Sequence, residues 1–336
     1  MPKRDYTIDI LRGMAIFTMI AANMAAHSLM KPHPFIFRLY GSFAAPTFIF
    51  LSGMMVSHTV IFKLHPLNYY LMRGFATIIV AALIDFFLWS VIPFSTFDVL
   101  YLIGLSMPLI HLFLSAKKWF QIVIIFLLFS LTPILQFYLG YDGTTKEPKL
   151  IADFDLATTL HQFFIDGWFP IFPWLGVSLL GAFLGTFRAK QSPDNIGKLF
   201  LRLGFLFCVS GITVWYFAQP TFLVRDGYSE LFYPPTLYYL FTFLGLILIL
   251  LSLLQRVHHY KLFYFFSTYG KSSLLIYILH TVFIVAVFNA FFESYGLVLF
   301  ILMYLSHAAL LWLISFFVQK IKKQDLPFII RFILGS

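Results

Sequence analysis

The sequence predicts an all-α polytopic membrane protein with about ten transmembrane helices. Of its 336 residues, 60% are hydrophobic and only 11% are charged, and the mean hydropathy is +0.88. Soluble domains carry about 25% charged residues. The chain also contains 44 Phe, 18 Tyr and 6 Trp, a composition that suits lipid-facing surfaces and interfacial belts. These observations exclude an ordinary soluble domain, a disordered chain and a coiled coil.

Ten apolar runs are long enough to cross a hydrocarbon layer about 30 Å thick, which takes about 20 residues. They cover residues 8–29, 43–62, 70–92, 97–115, 119–139, 168–187, 198–218, 237–256, 272–291 and 295–319. Helices are expected because lipid offers no partners to an unpaired backbone. Asp9 and Arg12 lie inside the first run and no cleavage site follows it, so we do not expect a cleaved signal peptide. Residues 1–336 are predicted to form one transmembrane domain.

The distribution of Lys and Arg predicts that both termini are cytoplasmic. Basic residues collect in cytoplasmic loops, and ten spans place 18 of the 23 Lys and Arg on that side. The five on the outer side are Lys31, Arg38, Lys146, Lys149 and Arg225. Topology therefore accounts for the net charge of +9, and we expect no nucleic-acid partner.

Two long loops, at roughly 140–167 and 219–236, are predicted on the outer side. Both carry acidic and aromatic residues, which would suit a polar substrate such as a sugar. Long loops are either functional or disordered, so a solvated connector is the alternative interpretation.

The first span carries the densest set of polar residues. An ionisable side chain within a span costs roughly 2.5–3.5 kcal/mol, so each one suggests a function. Arg12 and Asn23 are eleven residues apart, which places them on one face about 16 Å apart, and His27 lies four residues further on. This face predicts a polar track from the inner to the outer surface. Asp9 and Arg12 form either a structural ion pair or part of a site for an anionic ligand from the cytoplasm.

Four further positions, two histidines, one aspartate and one cysteine, bear on the chemistry. His33 lies in the predicted outer loop, and a histidine with a pKa of about 6.5 suits general-base catalysis, although a solvated loop histidine is the alternative. Asp85 and His280 are predicted to be buried, where a structural hydrogen-bonding role is the favoured interpretation. Cys208 is the single cysteine, which excludes a disulfide framework and a Cys-based zinc site. We expect no metal cofactor.

The segments RDYTIDILRGMAIFTMIAAN and FAAPTFIFLSG resemble the transmembrane acyltransferase superfamily. Within it, the chain is most similar to the heparan-α-glucosaminide N-acetyltransferase catalytic domain and its bacterial relatives. Three further segments agree with that family, namely VLYLIGLSM, FPIFPWLGVSLLGAFLG and STYGKSSLLIYILHTVF. The resemblance covers roughly residues 4–290, and the order and spacing of the segments make it specific.

The resemblance implies that acetyl-CoA from the cytoplasm donates an acetyl group to a sugar on the far side. Asn23 occupies the position of the family's catalytic asparagine, and His33 corresponds to the catalytic histidine. The separation of ten residues is one shorter than the family's, which leaves His27 as a competitor. His33 would deprotonate the acceptor, while Asn23 would orient His33 or donate a hydrogen bond to the developing oxyanion.

The remaining site residues follow from the same resemblance. Acetyl-CoA, as the acyl donor, is expected to contact a mostly basic set at the inner face, namely Arg12, Asp9, Arg73, Lys271 and Ser272. The acceptor is expected to contact Asp166, Trp168 and His280. Cys208 lies on an apolar face, so an acyl-cysteine is not expected. Direct transfer is favoured, and an acetyl-histidine intermediate is the alternative that the sequence leaves open.

A secondary transporter of a small anionic solute is the alternative function. Transporters often contain inverted repeats with matching Gly or Pro breaks, and no such symmetry is visible here. We expect an integral protein of the bacterial inner membrane, in contact with membrane lipid. The sequence leaves open the acceptor, N- or O-acetylation, and whether the chain forms a homodimer.

Overall fold

The computed structural model describes residues 5–142, 147–257, 261–288, 294–321 and 332–334, whose regular secondary structure is helical apart from two isolated β-bridges. The predicted all-α class is confirmed. The helices are α1 (Tyr6–Ser28), α2 (Phe35–Gly41), α3 (Ala44–Phe62), α4 (Leu67–Ile84), α5 (Val99–Ser115), α6 (Lys118–Leu139), α7 (Leu156–His161), α8 (Ile171–Lys190), α9 (Pro193–Ala218), α10 (Leu237–Val257), α11 (Tyr264–Gly270), α12 (Ser273–Phe283) and α13 (Leu297–Ile321). Single π-helical turns extend α4, α7 and α12, at Asp85–Trp89, Gln162–Asp166 and Ile284–Phe288.

Each of the ten predicted runs contains one of these helices, but fewer of them meet the length of a span. Within the described residues, eight helical segments are long and apolar enough to cross a membrane. One of these segments, Phe35–Phe62, joins the seven-residue α2 to α3. A ninth span results if α11 and α12, which are bent by 75°, count as one. The remaining helix, α5, has only 17 residues.

Some sequence-based assignments concern residues outside the described ranges. These are the charged residues Lys3, Arg4, Lys146, Glu293, Lys322, Lys323 and Arg331, the expected solvated His258 and His259, and the last three residues of the run 272–291.

Helix α1 lies inside the bundle and packs closely against α11. A Cβ atom on Gly13 would lie 1.8 Å from the Phe266 carbonyl oxygen, and a Cβ on Gly270 would lie 1.8 Å from the Asp9 carbonyl oxygen. Small residues allow such close approach between helices in membranes. The contact holds the break between α11 and α12 against α1. The polar side chains of α1 therefore meet protein groups.

The two long loops meet at the end of the bundle where α1 ends. Gly227 has a φ of +93°, which favours glycine, and a Cβ there would lie 2.5 Å from the Ala26 carbonyl oxygen. The loop 219–236 therefore lies directly on the last turn of α1. At the opposite end, Asp5 accepts hydrogen bonds from the backbone N–H groups of Thr7 and Ile8 and pairs with Arg188 of α8 at 2.8 Å. These contacts fix both ends of α1.

Candidate active site

In the C-terminal half of α1, Asn23 forms a hydrogen bond with His280 of α12. Asn23 Nδ2 lies 2.8 Å from His280 Nε2, and His280 Nδ1 lies 3.3 Å from the carbonyl oxygen of Ile276. An amide nitrogen only donates, so Nε2 accepts and Nδ1 carries the proton that it donates to Ile276. His280 is fully buried, and both of its ring nitrogens are satisfied.

Near the other end of α1, polar groups gather at the break between α11 and α12. Arg12 Nη2 donates to Oγ of Ser273, the first residue of α12. Lys271 Nζ lies 5.0 Å from the ring centroid of Tyr6. Ser272 precedes α12, is fully buried, and its Oγ has no hydrogen-bond partner within the described residues. Because the N-terminus of a helix carries partial positive charge, this break combines two cations, a helix dipole and an unused hydroxyl.

Apolar side chains separate the Asn23–His280 contact from the polar groups at the break between α11 and α12. Ile16 and Ile20 lie on the same face between Arg12 and Asn23, and both are fully buried. The predicted polar track is therefore interrupted, and the structure has separate polar contacts in its place. Their partners are residues of α12, which runs beside α1 in the same direction.

The residues expected to hold acetyl-CoA fall into two places. Asp9 is buried, and its carbonyl oxygen contacts Gly270 directly before Lys271 and Ser272. Asp9 thus joins the group at the break. Arg73 of α4 has other neighbours: its Nη1 donates to Tyr69 Oη at 3.0 Å, and its Cζ lies 5.3 Å from the ring centroid of Phe332.

His33 is buried beyond the end of α1 and contacts the loop 219–236. Its Nδ1 lies 2.6 Å from Ser229 Oγ, and its Nε2 lies 3.2 Å from the carbonyl oxygen of Leu29. Only 8% of His33 and 7% of Ser229 is exposed. The alternative of a solvated loop histidine is therefore wrong. The tertiary structure pairs this histidine with a hydroxyl group.

Next to this pair lie half-buried Arg38 and buried Glu230, each with a polar atom that has no hydrogen-bond partner in the described part of the chain. Arg38 Nε donates to the Ser229 carbonyl oxygen at 2.7 Å, while Arg38 Nη2 has no hydrogen-bond partner in the described part of the chain. Glu230 is 6% exposed, and its Oε2 likewise has no partner there. Buried polar atoms are generally hydrogen-bonded, so such exceptions are typical of a site that binds another molecule.

Burial controls the charge of both titratable loop residues. It lowers the pKa of His33 below 6.5, and the positive charges of Lys31 and Arg38 lower it further, whereas the hydrogen bond that His33 donates to the Leu29 carbonyl raises it. Burial also raises the pKa of Glu230 from 4.5 to about 7, against the opposing effects of its backbone hydrogen bond and of Arg38. At neutral pH, His33 is therefore an uncharged base.

His27, the competing histidine, is half-buried in the last turn of α1. Its Nε2 lies 3.4 Å from Tyr228 Oη, a long hydrogen bond, and its ring stacks on Trp89 with centroids 6.4 Å apart. Tyr228 is the neighbour of Ser229. Both histidines thus face the same loop, and His33 has the shorter hydrogen bond.

Arg225 connects the two long loops. Its guanidinium donates to the carbonyl oxygens of Gly167 at 2.8 Å and Asp142 at 3.1 Å, and to Tyr141 Oη at 3.1 Å. Its Cζ also lies 5.0 Å from the ring centroid of Tyr233. Arg225 is fully buried. It therefore fixes the position of the segment that carries Ser229.

The expected acceptor residues occupy different surroundings. Trp168 Nε1 donates to Glu147 Oε1 at 3.0 Å, and its ring packs edge-on against Tyr228. Glu147 lines an open cleft of about 540 Å³ in the loop 140–167, a volume typical of small-molecule sites. Asp166 is buried and pairs with His161 at 2.9 Å. His280, by contrast, lies with Asn23 inside the bundle.

The sequence did not point to Ser229. It placed Arg38 and Glu230 on the outer side of the membrane but assigned neither of them a functional role. The sole signal was the position of Ser229 and Glu230 in a loop proposed as a substrate surface. Their separation from His33 by about 200 positions hides the contact.

Comparison with known proteins identifies one family. The model of the catalytic domain of heparan-alpha-glucosaminide N-acetyltransferase matches residues 4–211, which is more than half of the chain. No curated protein matches.

Proposed function

The chain belongs to the heparan-alpha-glucosaminide N-acetyltransferase catalytic family, and from this premise we propose that it transfers an acetyl group from cytoplasmic acetyl-CoA to a saccharide on the other side of the membrane. Family membership and apolar helices together indicate a membrane acetyltransferase. The proposal adds the donor, the direction of transfer, the amine or hydroxyl acceptor and the residues involved. The location in a bacterial inner membrane, with both termini in the cytoplasm, stays a prediction.

Acetyl-CoA binds at the break between α11 and α12 in this proposal. The anionic phosphates of its nucleotide fit the combined positive charge of Arg12, Lys271 and the N-terminus of α12. The unused hydroxyl of Ser272 supplies a further hydrogen bond. Arg73, with its contacts to Tyr69 and Phe332, has less support as a ligand of the donor.

His33 is the proposed base for the acceptor. The Leu29 carbonyl can only accept, so the Nε2 of a neutral His33 carries the proton and Nδ1 offers its lone pair. The saccharide is proposed to enter from the loop side, where Trp168 and the adjoining cleft provide an aromatic face and carboxylates.

Asn23 has a different role from the orientation of His33 suggested by the sequence. Its amide donates to His280, at a level about 9 Å along α1 from Leu29, given a rise of 1.5 Å per residue. We propose that Asn23 and His280 act together on the acetyl group, either as a hydrogen-bond donor to its oxygen or by holding the surrounding helices in place.

The observation that carries the proposal is that one buried helix bears both groups. Helix α1 presents Arg12 to the cationic break near one end and leads into buried His33 at the other. A donor site and an acceptor site at opposite ends of one helix suit transfer across a membrane.

Acetyl-CoA binding, measured by calorimetry on the full chain in detergent, tests the donor site. We expect binding by the unaltered protein and loss of about tenfold or more in affinity for Arg12→Ala, since a charge-assisted contact is worth about 1.5–3 kcal/mol. The matched control is Arg202→Ala, because Arg202 is exposed on α9. Absence of binding by the unaltered protein, together with uptake of an anionic solute, would favour the transporter.

A further inference from the structure

We propose that Ser229 is the nucleophile of the transfer and carries the acetyl group as an ester between donor and acceptor, an inference that rests on the proposed function. Ser229 lies in the loop between α9 and α10, far from His33 in sequence. The structure places its hydroxyl group against the histidine that serves as the base.

The hydrogen bonds around His33 define the pair. Ser229 Oγ lies 2.6 Å from His33 Nδ1, and the Leu29 carbonyl oxygen lies 3.2 Å from His33 Nε2. The carbonyl fixes the proton on Nε2, so the lone pair of Nδ1 receives the proton of the Ser229 hydroxyl. A nucleophile beside a base that a third group orients is the arrangement used in covalent acyl transfer.

Arg38 completes the arrangement on the other side of Ser229. Its Nε donates to the Ser229 carbonyl oxygen at 2.7 Å, which holds the residue in place. Its Nη2 is buried and has no hydrogen-bond partner in the chain as described. A guanidinium held against the backbone of Ser229 with an N–H group to spare suits the oxyanion of a tetrahedral intermediate. The low exposure of Ser229 and His33 also limits access of water to an acetyl ester.

The first half-reaction acetylates Ser229. The Ser229 oxygen attacks the carbonyl carbon of the thioester while His33 Nδ1 takes the hydroxyl proton. The bond between carbon and sulfur then breaks, and the sulfur leaves with the proton from His33 as the thiol of CoA.

The second half-reaction transfers the acetyl group to the acceptor. The amine or hydroxyl of the saccharide attacks the ester carbonyl and gives its proton to His33 Nδ1. The ester bond to Ser229 breaks, and His33 returns the proton to the Ser229 oxygen. The sum is acetyl-CoA plus acceptor giving CoA plus acetylated acceptor.

The proposed donor site and Ser229 lie at opposite ends of α1, so the pantetheine arm of acetyl-CoA must carry the thioester along the helix to reach Ser229. Arg12 and Leu29 are 17 residues apart on one helix, about 25 Å at 1.5 Å per residue. An acetyl-serine intermediate lets CoA leave before the acceptor enters, so the two substrates need not be bound together. This route replaces both the direct transfer expected from the sequence and its alternative, an acetyl-histidine.

Isotope exchange without an acceptor tests the intermediate. The full-length protein in detergent is incubated with acetyl-CoA and labelled free CoA, and the label entering acetyl-CoA is measured. A parallel sample with acetyl-labelled acetyl-CoA is digested, and its peptides are examined by mass spectrometry. We expect exchange in the unaltered protein and one acetyl group on the peptide that contains Ser229.

Variants separate a nucleophile from a structural hydroxyl. Ser229→Ala should lose exchange and labelling by about 10³-fold or more while keeping its affinity for acetyl-CoA. Ser229→Cys should recover part of the labelling as a thioester, which shows that the site still folds. The matched control Ser306→Ala changes an exposed serine on α13 and should exchange normally.

The outcomes are distinct for the two proposals. Transfer to an amino sugar such as glucosamine with no exchange in its absence would overturn the acetyl-serine and leave the acetyltransferase proposal intact. Labelling of a different residue, or normal turnover by Ser229→Ala, would also overturn it. Failure to bind acetyl-CoA or to transfer acetyl to any amine or hydroxyl would overturn the proposed function itself.

Discussion

Asn23 and His280 form a hydrogen bond of 2.8 Å between two helices that run side by side through the bundle. His280 is fully buried, and its other nitrogen is held by the Ile276 carbonyl. The amide of Asn23 therefore fixes both the tautomer and the orientation of the ring. This contact links the two segments most closely associated with the proposed chemistry.

Removal of this hydrogen bond should be costly only when one partner remains. We expect Asn23→Leu or His280→Leu alone to lower the free energy of unfolding by about 1–3 kcal/mol, because a buried polar atom loses its partner. The double variant should lose less than the sum of the two, with a coupling of at least about 0.5 kcal/mol. Denaturation in mixed micelles measures this cycle, and strict additivity would contradict the contact.

Substitution of the two histidines should separate their roles. His33→Ala should lower acetyl transfer from acetyl-CoA by about 10²–10⁴-fold, the usual contribution of a general base, without changing acetyl-CoA affinity. His27→Ala should have a smaller effect, because its hydrogen bond to Tyr228 is 3.4 Å long. Steady-state kinetics and calorimetry on both variants check this. Normal turnover in His33→Ala with loss in His27→Ala would assign the base to His27.

The burial of Glu230 predicts a dependence of stability on pH. Its pKa rises from 4.5 to about 7 on folding, so between these values the native state holds a proton that the unfolded state has lost. The contribution of Glu230 to the free energy of unfolding is fully present below pH 4.5. It falls as the pH rises to 7, by at most about 1.4 kcal/mol for each pH unit.

Glu230→Gln should remove this contribution, because glutamine does not titrate. Thermal unfolding in detergent between pH 4.5 and pH 8 should show a shallower decline for the variant than for the unaltered protein. Asp194→Asn on exposed α9 is the matched control and should follow the unaltered protein. Parallel curves for Glu230→Gln would contradict a raised pKa.

The close contact between α1 and α11 predicts sensitivity to a single methyl group. Gly13→Ala would place its Cβ 1.8 Å from the Phe266 carbonyl oxygen, so the backbone of α11 must move. We expect a loss of about 1–3 kcal/mol and weaker acetyl-CoA binding, since the break that carries Lys271 and Ser272 moves with it. Gly296→Ala is the control, because nothing lies within 4 Å of its Cβ position.

The contacts of Arg225 predict that its substitution loosens both long loops at once. Arg225→Met keeps an unbranched side chain that can pack against the same rings. It removes the guanidinium, so the carbonyl groups of Gly167 and Asp142 lose this hydrogen-bond donor. Limited proteolysis should then cut the loops 140–167 and 219–236 faster, while the helices stay protected. Arg202→Met, on an exposed helix face, should leave the cleavage pattern unchanged.

The all-α membrane class and the positions of the helices could be predicted from the sequence. A run of about 20 apolar residues has one stable conformation in lipid, and this property is local to the run. Asn23, Arg12 and His33 were likewise recognisable, because polar groups are conspicuous in or beside an apolar helix and their spacing resembles that of a known family.

Partners were not predictable in the same way. The Asn23–His280 contact joins positions 257 residues apart, and the His33–Ser229 contact joins positions 196 apart. Ser229 has no local feature that distinguishes it from other loop serines. Arg225 was assigned to the outer side by its place in a loop between two predicted spans, and only the structure shows that it is buried among aromatic rings.

The amino-acid sequence by itself determined that this chain enters a membrane as helices and that α1 carries its unusual polar groups. Only the tertiary structure decided what each group faces: Arg12 meets Ser273, Asn23 meets His280 and His33 meets Ser229. The physical reason is that hydropathy acts along the chain within one helix, whereas a hydrogen bond depends on helix packing and on loops that bring distant residues together.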